Sequence, residues 1–329
     1  MAVLICGGAG YIGSHNVRVF MKHGEEVIVV DNLVTGHRAS VPDNVKFYEG
    51  DIRNGEVLDK IFTENKIDAV IHFCACSLVG ESVEKPLKYF DNNVWGMISL
   101  LEAMQRNNID KIIFSSSAAT YGEPDRIPIL ESDNTNPTNP YGESKLIMEK
   151  MMKWVSNQHK INYVSLRYFN VAGAWKDGSI GEDHRYETHL VPLILQVPLG
   201  KRPHITVYGD DYPTKDGTCI RDYVHVCDIA EAHVLALNYL RNGGKSDIFN
   251  LGSGDGYSVM EMINAARKVS GHAIPVEIGA RRPGDPARLV ADSHKAREIL
   301  KWSPEYVTME DIISTAWAWH KSHPQGYTD

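Results

Sequence analysis

The feature that most constrains the fold is a glycine-rich turn between an apolar strand and a helix. Residues 2–6 form a short apolar run that predicts a buried parallel strand, followed by Gly7-x-x-Gly10-x-x-Gly13 and a helical pattern. A second apolar strand then ends in Asp31. Such a turn brings backbone N–H groups at a helix N-terminus close to a pyrophosphate, and an acid in this place accepts hydrogen bonds from a ribose. The sequence therefore predicts a dinucleotide site, and Asp31 favours NAD over NADP because a carboxylate repels a 2′-phosphate.

Strand and helix patterns alternate through the first half of the chain. Strands are predicted at 45–49, 68–73, 111–114 and 163–166, and helices at 54–65, 86–107 and 140–158. Repeated βαβ units predict a parallel sheet with helices on both faces. The expected fold class is α/β, a Rossmann-type doubly wound parallel sheet, with ligands at the carboxyl ends of its strands.

The pattern loosens after Asn170. Helices are predicted at 187–199, 228–241, 258–270, 293–300 and 308–321, a short strand at 249–251, and loops at 171–186, 203–224 and 281–285. We expect residues 1–170 to form the NAD-binding domain, joined by sheet and helix material from about 225–251. Residues 171–329 would form mainly a smaller, interleaved, mixed α/β lobe that binds the substrate.

A second constellation begins at a predicted helix start. Pro140 suits the first helical position and Asn139 suits the N-cap. Tyr141 and Lys145 lie four residues apart on one helix face, where an ammonium would lower the tyrosine pKa from its reference of about 10. This spacing alone is typical of many solvated helix faces. With Ser117 at the end of a predicted strand and a nicotinamide between them, the three residues predict a hydride-transfer site.

Composition and charge exclude several classes of function. The net charge of -8 gives no indication of nucleic-acid or anionic-membrane binding. The five cysteines are odd in number and suggest free thiols in a reducing cytoplasm. We predict no metal site, because neither His-Glu-x-x-His nor paired cysteine spacing occurs. We also expect no signal peptide and no membrane span.

Longer motifs extend over the whole chain. They include Glu49-Gly50-Asp51-Ile52-Arg53, Phe114-Ser115-Ser116-Ser117, Arg167-Tyr168-Phe169-Asn170 and Arg221-Asp222-Tyr223-Val224-His225. With the glycine turn and Tyr141-x-x-x-Lys145, this set resembles the UDP-glucose 4-epimerase family of the extended short-chain dehydrogenase/reductase superfamily. The resemblance implies an isomerase that interconverts UDP-glucose and UDP-galactose at C4, by transient hydride transfer to tightly bound NAD through a 4-ketose. It also implies a homodimer, joined through the helices at 86–107 and 140–158.

The resemblance assigns a role to individual residues. Tyr141 would be the base, Lys145 would tune it and bind the nicotinamide ribose, and Ser117 would assist at the same hydroxyl. The cofactor residues implied are Gly7, Gly10, Tyr11, Ile12, Gly13, Asp31, Asn32, Asp51, Ile52, Phe73, Asn92, Lys145 and Tyr168. The substrate residues implied are Ser117, Tyr141, Asn170, Leu190, Tyr208, Arg221, Arg282 and Asp285, with the two arginines on the diphosphate and Asp285 on the uridine ribose.

Three positions depart from the family pattern. Ser77 stands where the family has a lysine that contacts the cofactor, which would weaken NAD retention. His189, in Thr188-His189-Leu190, replaces the second asparagine of an Asn-Asn-Leu pattern. Leu289 stands where some members carry tyrosine, and its medium side chain leaves room for an N-acetyl group, so N-acetylated UDP-hexosamines are expected as further substrates.

Other functions remain open at the level of sequence. They are a different UDP-hexose or UDP-uronate 4-epimerase and a non-catalytic NAD-binding sensor. A nucleotide-sugar 4,6-dehydratase is disfavoured, because the stretch 117–121 lacks the carboxylates that water elimination needs.

Overall fold

The centre of the molecule is a seven-stranded parallel sheet. The computed structural model describes residues 1–282 and 285–328. The sheet has the order β11-β6-β5-β4-β1-β2-β3. Its strands are β1 (Ala2–Cys6), β2 (Val27–Asp31), β3 (Lys46–Glu49), β4 (Ile67–His72), β5 (Lys111–Ser117), β6 (Asn162–Tyr168) and β11 (Asp247–Leu251). All six neighbouring pairs run parallel, which confirms the predicted Rossmann-type fold class.

Ten α-helices occur among the described residues. They are α1 (Tyr11–Lys22), α2 (Gly55–Glu64), α3 (Val79–Glu84), α4 (Pro86–Tyr89), α5 (Gly96–Arg106), α6 (Pro140–His159), α7 (Leu190–Leu195), α8 (Val226–Arg241), α9 (Val259–Ser270) and α10 (Met309–Ser322). One sheet face packs on α1 and α8, and the other packs on α2, α5 and α6. Because both faces are covered, β1 and β2 are buried along their whole length, which explains their continuous apolar sequence.

The second lobe is built from short strands and three helices. Its strands are β7 (Asn170–Ala172), β8 (Ile205–Tyr208), β9 (Ile220–Arg221), β10 (Tyr223–His225), β12 (Tyr257–Ser258), β13 (Val276–Gly279) and β14 (Arg288–Leu289). Helices α7, α9 and α10 form a separate apolar core with β8 and the strands around it. Between the two parts of this lobe, α8 and β11 return the chain to the main sheet, where β11 pairs with β6. These contacts place α8 and β11, from the stretch 225–251, against the main sheet, and the domain division stays a prediction.

Two predicted elements are wrong, and two predicted helices are present but contain a π-helical turn. The loop at 203–224 contains β8, β9 and β10, which pair with distant segments and carry no local period. The helix predicted at 187–199 is limited to α7. The helix predicted at 293–300 is present, with a π-helical turn at Ala296–Leu300.

The long helix predicted at 86–107 is present from Pro86 to Arg106, and a wide π-helical turn, Phe90–Trp95, separates α4 from α5 within it. The short helix α3 precedes it. The wide turn directs the Asn93 side chain inward. Its side-chain amide forms hydrogen bonds with the backbone of Cys76 and with the Ser144 hydroxyl.

The glycine turn between β1 and α1 is closed by backbone contact. Gly7 has a φ of +81°, a conformation that favours glycine. A Cβ on Gly13 would lie 2.0 Å from the Gly7 carbonyl oxygen, whereas one on Gly10 would lie 3.5 Å from the same atom. The turn therefore requires glycine at position 13 for packing, while position 10 has room for a methyl group.

We expect Gly13→Ala to destabilise the protein and Gly10→Ala to be tolerated. Overpacking against backbone costs about 1–3 kcal/mol, because the turn must open to admit the methyl group. Urea denaturation of both variants measures the difference in the free energy of unfolding. Equal midpoints for the two variants would contradict this account of the turn.

The described residues include no helix that is both long and apolar enough to cross a bilayer.

Candidate active site

A cavity of about 510 Å³ opens at the carboxyl ends of the central strands. It lies at the place where the strand order reverses between β1 and β4, where open α/β sheets bind ligands. Its wall includes fourteen residues that the sequence singles out: Gly7, Gly10, Tyr11, Ile12, Gly13, Phe73, Ser117, Tyr141, Lys145, Tyr168, Asn170, Leu190, Arg221 and Asp285. Both lobes contribute to the wall, so the cavity is shared between the predicted dinucleotide and substrate regions.

The start of α6 places the proposed base in the cavity. The Asn139 side chain accepts a hydrogen bond from the Gly142 amide at 2.9 Å, and Pro140 occupies the first turn, as predicted. The Lys145 ammonium lies 5.9 Å from the centre of the Tyr141 ring and donates to the Ser115 carbonyl oxygen at 2.7 Å. The side chains of Tyr141 and Lys145 therefore face the strand end that carries Ser117.

Burial controls the protonation of both groups. It lowers the pKa of Lys145 to about 7, against the opposing effect of the Glu149 carboxylate. Burial also raises the pKa of Tyr141, and a hydrogen bond with the Ser117 hydroxyl opposes that rise. In the protein by itself the pKa of Tyr141 is raised, the reverse of the sequence-based prediction, because burial of the phenolate dominates and only the Ser117 hydroxyl opposes it.

A buried ion pair fixes α6 on the sheet beneath these residues. The Arg167 Nε atom donates to the Glu149 carboxylate at 2.9 Å, and the Ser116 hydroxyl donates to the same carboxylate at 2.5 Å. Each side chain of the pair is 3% exposed. Because Glu149 follows Lys145 by one helical turn, this contact sets the position of the catalytic face of α6.

A second hydrogen bond joins the strand ends. The Ser115 hydroxyl bonds the Tyr168 hydroxyl, and burial raises the pKa of Tyr168 well above its usual range. Ser115 thus contacts Lys145 through its carbonyl oxygen and Tyr168 through its side chain. The two predicted cofactor residues Lys145 and Tyr168 are held together by this one serine.

The other predicted cofactor residues lie beyond the cavity wall, along the sheet edge. The Asp31 carboxylate accepts hydrogen bonds from the amides of Ala9 and Leu33, both at 2.9 Å. Asn32 donates to Asp51 at 3.0 Å, next to the ends of β2 and β3. The two carboxylates therefore lie at the carboxyl ends of β2 and β3, the strands that follow β1 and the glycine turn in the sheet.

Ile52 and Asn92, two further predicted cofactor residues, also lie off the cavity wall. Ile52 is buried in the apolar core with Met97. Asn92 is half-buried and donates to the Asn93 side chain at 3.0 Å. Their predicted contacts with the cofactor stay predictions.

Only one of the two arginines that are predicted to bind the diphosphate lies on the cavity wall. The Arg221 guanidinium faces the cavity and pairs with the Asp285 carboxylate. Arg282 is exposed and lies 4.1 Å from the centre of the Tyr208 ring, outside the cavity wall. Pro283 and Gly284, in the predicted loop between Arg282 and Asp285, lie outside the described residues.

The sequence prediction missed part of the cavity wall. Glu182 and His184 line the cavity beside His189, which the sequence analysis names only as a departure from the family pattern, and Glu187 completes a compact group with them. Residues 171–186 carry no helical or strand period, so they were predicted only as a loop. The spacing Glu-x-His-x-x-Glu-x-His is the signal that could have identified the group.

Comparison with known proteins agrees with this geometry. The sequence profile of the NAD dependent epimerase/dehydratase family matches residues 3–252. The UDP-glucose 4-epimerase of Streptococcus mutans is 60% identical over 100% of this chain and 99% of its own length. The crystal structure of the Bifidobacterium longum UDP-glucose 4-epimerase in complex with NAD⁺ and UDP is 41% identical, covers 99% of this chain and 100% of its own, and has a TM-score of 0.94.

A further solved structure is that of the UDP-Glc/GlcNAc 4-epimerase of Campylobacter jejuni. It is 42% identical, covers 98% of this chain and 99% of its own, and has a TM-score of 0.86. The likeness to these proteins extends over both lobes. The chain therefore belongs to the NAD dependent epimerase/dehydratase family and, within it, to the UDP-glucose 4-epimerases.

Proposed function

We propose that the protein interconverts UDP-glucose and UDP-galactose by inverting C4. The observation that carries this proposal is the meeting of Ser117, Tyr141 and Lys145 with the glycine turn in one cavity. Its volume of about 510 Å³ suits a small-molecule pocket that holds the reacting ends of two ligands. The full-length likeness to UDP-glucose 4-epimerases supports the same reaction.

The residues of the first domain fit NAD. The turn at Gly7 and Gly13 leaves no space for a side chain, so backbone amides line the cavity beside the N-terminus of α1. We propose that Asp31 binds the adenosine ribose, that Asp51 and Ile52 bind the adenine, and that Lys145 binds the nicotinamide ribose. When bound, NAD supplies the group that accepts a hydride from C4 and returns it.

Tyr141 is the proposed acid and base. Its phenolate removes the proton of the sugar 4-hydroxyl and later returns a proton to the oxygen at the same carbon. The Ser117 hydroxyl, which lowers the pKa of Tyr141, is proposed to hold the sugar oxygen. Since the pKa of Lys145 is about 7, this side chain is charged in a substantial fraction of molecules at neutral pH and can stabilise the phenolate.

The substrate lobe is proposed to bind UDP. Arg221 already faces the cavity and would exchange its bond with Asp285 for the diphosphate, which frees Asp285 for the uridine ribose. Asn170 and Leu190 complete the wall on this side. Arg282 and Tyr208 would have to move toward the cavity to contact the same ligand.

We expect the purified protein to convert UDP-galactose to UDP-glucose without added NAD. We expect Tyr141→Phe to lower kcat by about 10²–10⁴-fold, the contribution of proton transfer by a positioned side chain. The cofactor content of the variant should stay that of the wild type. Coupled assay of UDP-glucose and chromatography of released NAD provide both measurements.

Tyr239→Phe is the matched control, since Tyr239 lies on α8 and not on the cavity wall. Its turnover should equal that of the wild type. A protein that binds NAD yet converts none of the UDP-hexose would instead support a non-catalytic sensor. Turnover of UDP-uronates in preference to UDP-galactose would identify the other epimerase class.

We also propose that N-acetylated UDP-hexosamines are substrates. Leu289 lines the cavity beside Arg221, with which it pairs in the parallel β9–β14 ladder. We expect turnover of UDP-N-acetylglucosamine, and we expect Leu289→Tyr to reduce it by at least about 10-fold relative to UDP-glucose, since steric exclusion in a pocket costs about 1–3 kcal/mol. Leu289→Val serves as the control of similar size. Absence of UDP-N-acetylglucosamine turnover beside rapid UDP-glucose turnover refutes the proposal.

A homodimer is proposed on a patch of exposed apolar side chains. Leu87 is 79% exposed, Trp95 48% and Trp154 72%, and they lie on helices and a turn that pack against α6 or belong to it. Exposed aromatic groups of this kind form the centres of interfaces. We expect Trp154→Glu to shift the protein from dimer to monomer in sedimentation, whereas Tyr186→Glu, at an exposed aromatic of the other lobe, should leave the dimer intact. A monomeric wild type would refute this assembly.

A cytoplasmic location is also proposed, because all five cysteines are free thiols. Cell fractionation tests it.

A further inference from the structure

We propose that Glu182, His184, Glu187 and His189 form a binding site for a divalent transition-metal ion of the Zn²⁺ class. One ligand atom from each residue lies within 4.8 Å of all the others. The four residues belong to one segment between β7 and α7, so the site is local in sequence and needs no partner chain. This proposal goes beyond the epimerase reaction, which calls for no metal. It also differs from the sequence-based prediction of no metal site, which considered only His-Glu-x-x-His and paired cysteine spacings.

The distances within the group suit a tetrahedral ion. The His189 Nδ1 atom lies 2.9 Å from the Glu182 carboxylate and 2.8 Å from that of Glu187. The His184 Nδ1 atom lies 3.4 Å and 3.2 Å from the same two carboxylates. Ligands about 2.0–2.2 Å from a tetrahedral Zn²⁺ are about 3.3–3.6 Å apart, so shifts of under about 1 Å create the site.

The charge of the group suits a dication. The Glu182 side chain is 5% exposed and that of Glu187 is 10% exposed, so two carboxylates are concentrated in one largely buried place. A buried charge is stable only when it is paired or bound to a metal. In the structure the imidazoles of His184 and His189 pair with both carboxylates, and a dication would take over that pairing. A dication with these two carboxylates and two neutral imidazoles gives a neutral site.

The chemistry of the ligands selects the class of metal. Two imidazole nitrogens with two carboxylate oxygens suit Zn²⁺, Co²⁺ and Ni²⁺. Mg²⁺ and Ca²⁺ prefer oxygen ligands throughout, and Mg²⁺ also requires an octahedral shell. The site should therefore discriminate against both alkaline-earth ions.

The segment that carries the ligands is held in place by its surroundings. The Glu187 carboxylate accepts hydrogen bonds from the amides of Thr188 and His189, at 2.8 Å and 2.7 Å. The Trp319 indole donates to the Glu182 carbonyl oxygen at 3.1 Å. Such outer contacts orient metal ligands and reduce the ordering cost of binding.

The place of the group in the cavity gives the ion a structural consequence. Glu182, His184 and His189 lie on the cavity wall, and His189 directly precedes Leu190 at the start of α7. A bound ion would tie this wall of the substrate lobe together across the eight residues 182–189. It would thus stabilise the folded protein by mass action.

Equilibrium binding of Co²⁺ and Zn²⁺ to untagged, chelator-treated protein tests the proposal. We expect one equivalent per chain by elemental analysis, visible absorption typical of tetrahedral Co²⁺, and a rise in Tm that grows with Zn²⁺ concentration. Excess Mg²⁺ should not displace Co²⁺. At micromolar free Zn²⁺ a structural site should be nearly saturated by mass action. Uptake of less than about 0.1 equivalent under these conditions would overturn the proposal.

Two variants and one control locate the bound ion. Glu187→Gln and His189→Asn, the latter introducing the residue of the family pattern, should each weaken Co²⁺ binding by at least about 10–100-fold, the loss that follows even from changing an outer-shell partner. His204→Asn is the control, since His204 faces Glu277 at 2.7 Å in an exposed pair. Circular dichroism and NAD content verify folding. Unchanged binding in both variants, or an equal loss in the control, would refute the assigned ligands.

Discussion

The buried ion pair between Glu149 and Arg167 is the contact on which the catalytic side of the molecule depends. It joins α6 to β6, and the Ser116 hydroxyl extends it to β5. Tyr141 and Lys145 precede Glu149 by two helical turns and one, so all three side chains follow one face of α6. Loss of one partner from such a pair leaves an uncompensated charge and costs about 3–5 kcal/mol. The position of the base above the strand ends is therefore set by an ion pair that does not line the cavity.

The two sides of the cavity are built differently. The side of the glycine turn belongs to a continuous seven-stranded sheet whose strands are buried on both faces. The opposite side is made of two- and three-stranded sheets and loops around Arg221 and Leu289. A large buried sheet opens only with the whole fold, whereas small sheets with few hydrogen bonds open locally. This difference matches a reaction in which one ligand stays bound and the other must enter, turn over and leave.

Much of this arrangement could be predicted from the sequence, because its signals are local. Apolar runs, the glycine spacing and the N-cap at Asn139 act within a few residues, and they located β1, α1 and the start of α6. The strands around Arg221 could not be predicted, since each has two or three residues and exists only through distant pairing. The π-helical turn at Asn93 depends on hydrogen bonds to Cys76 and Ser144, which no local pattern shows. The pKa of Tyr141 was predicted in the wrong direction because spacing identifies a neighbouring charge but not the extent of burial.

The burial of Lys145 lowers the stability of the folded protein. The side chain is 2% exposed, and its pKa of about 7 lies below the value of 10.5 that it has in the unfolded chain. The unfolded chain therefore binds the proton more strongly than the folded protein does. This difference lowers the free energy of unfolding, and the penalty has its full size below about pH 7. The penalty declines as the pH rises from about 7 to 10.5. A sequence chosen for stability alone would place an apolar residue here, so Lys145 marks a position where the needs of chemistry and those of folding oppose each other.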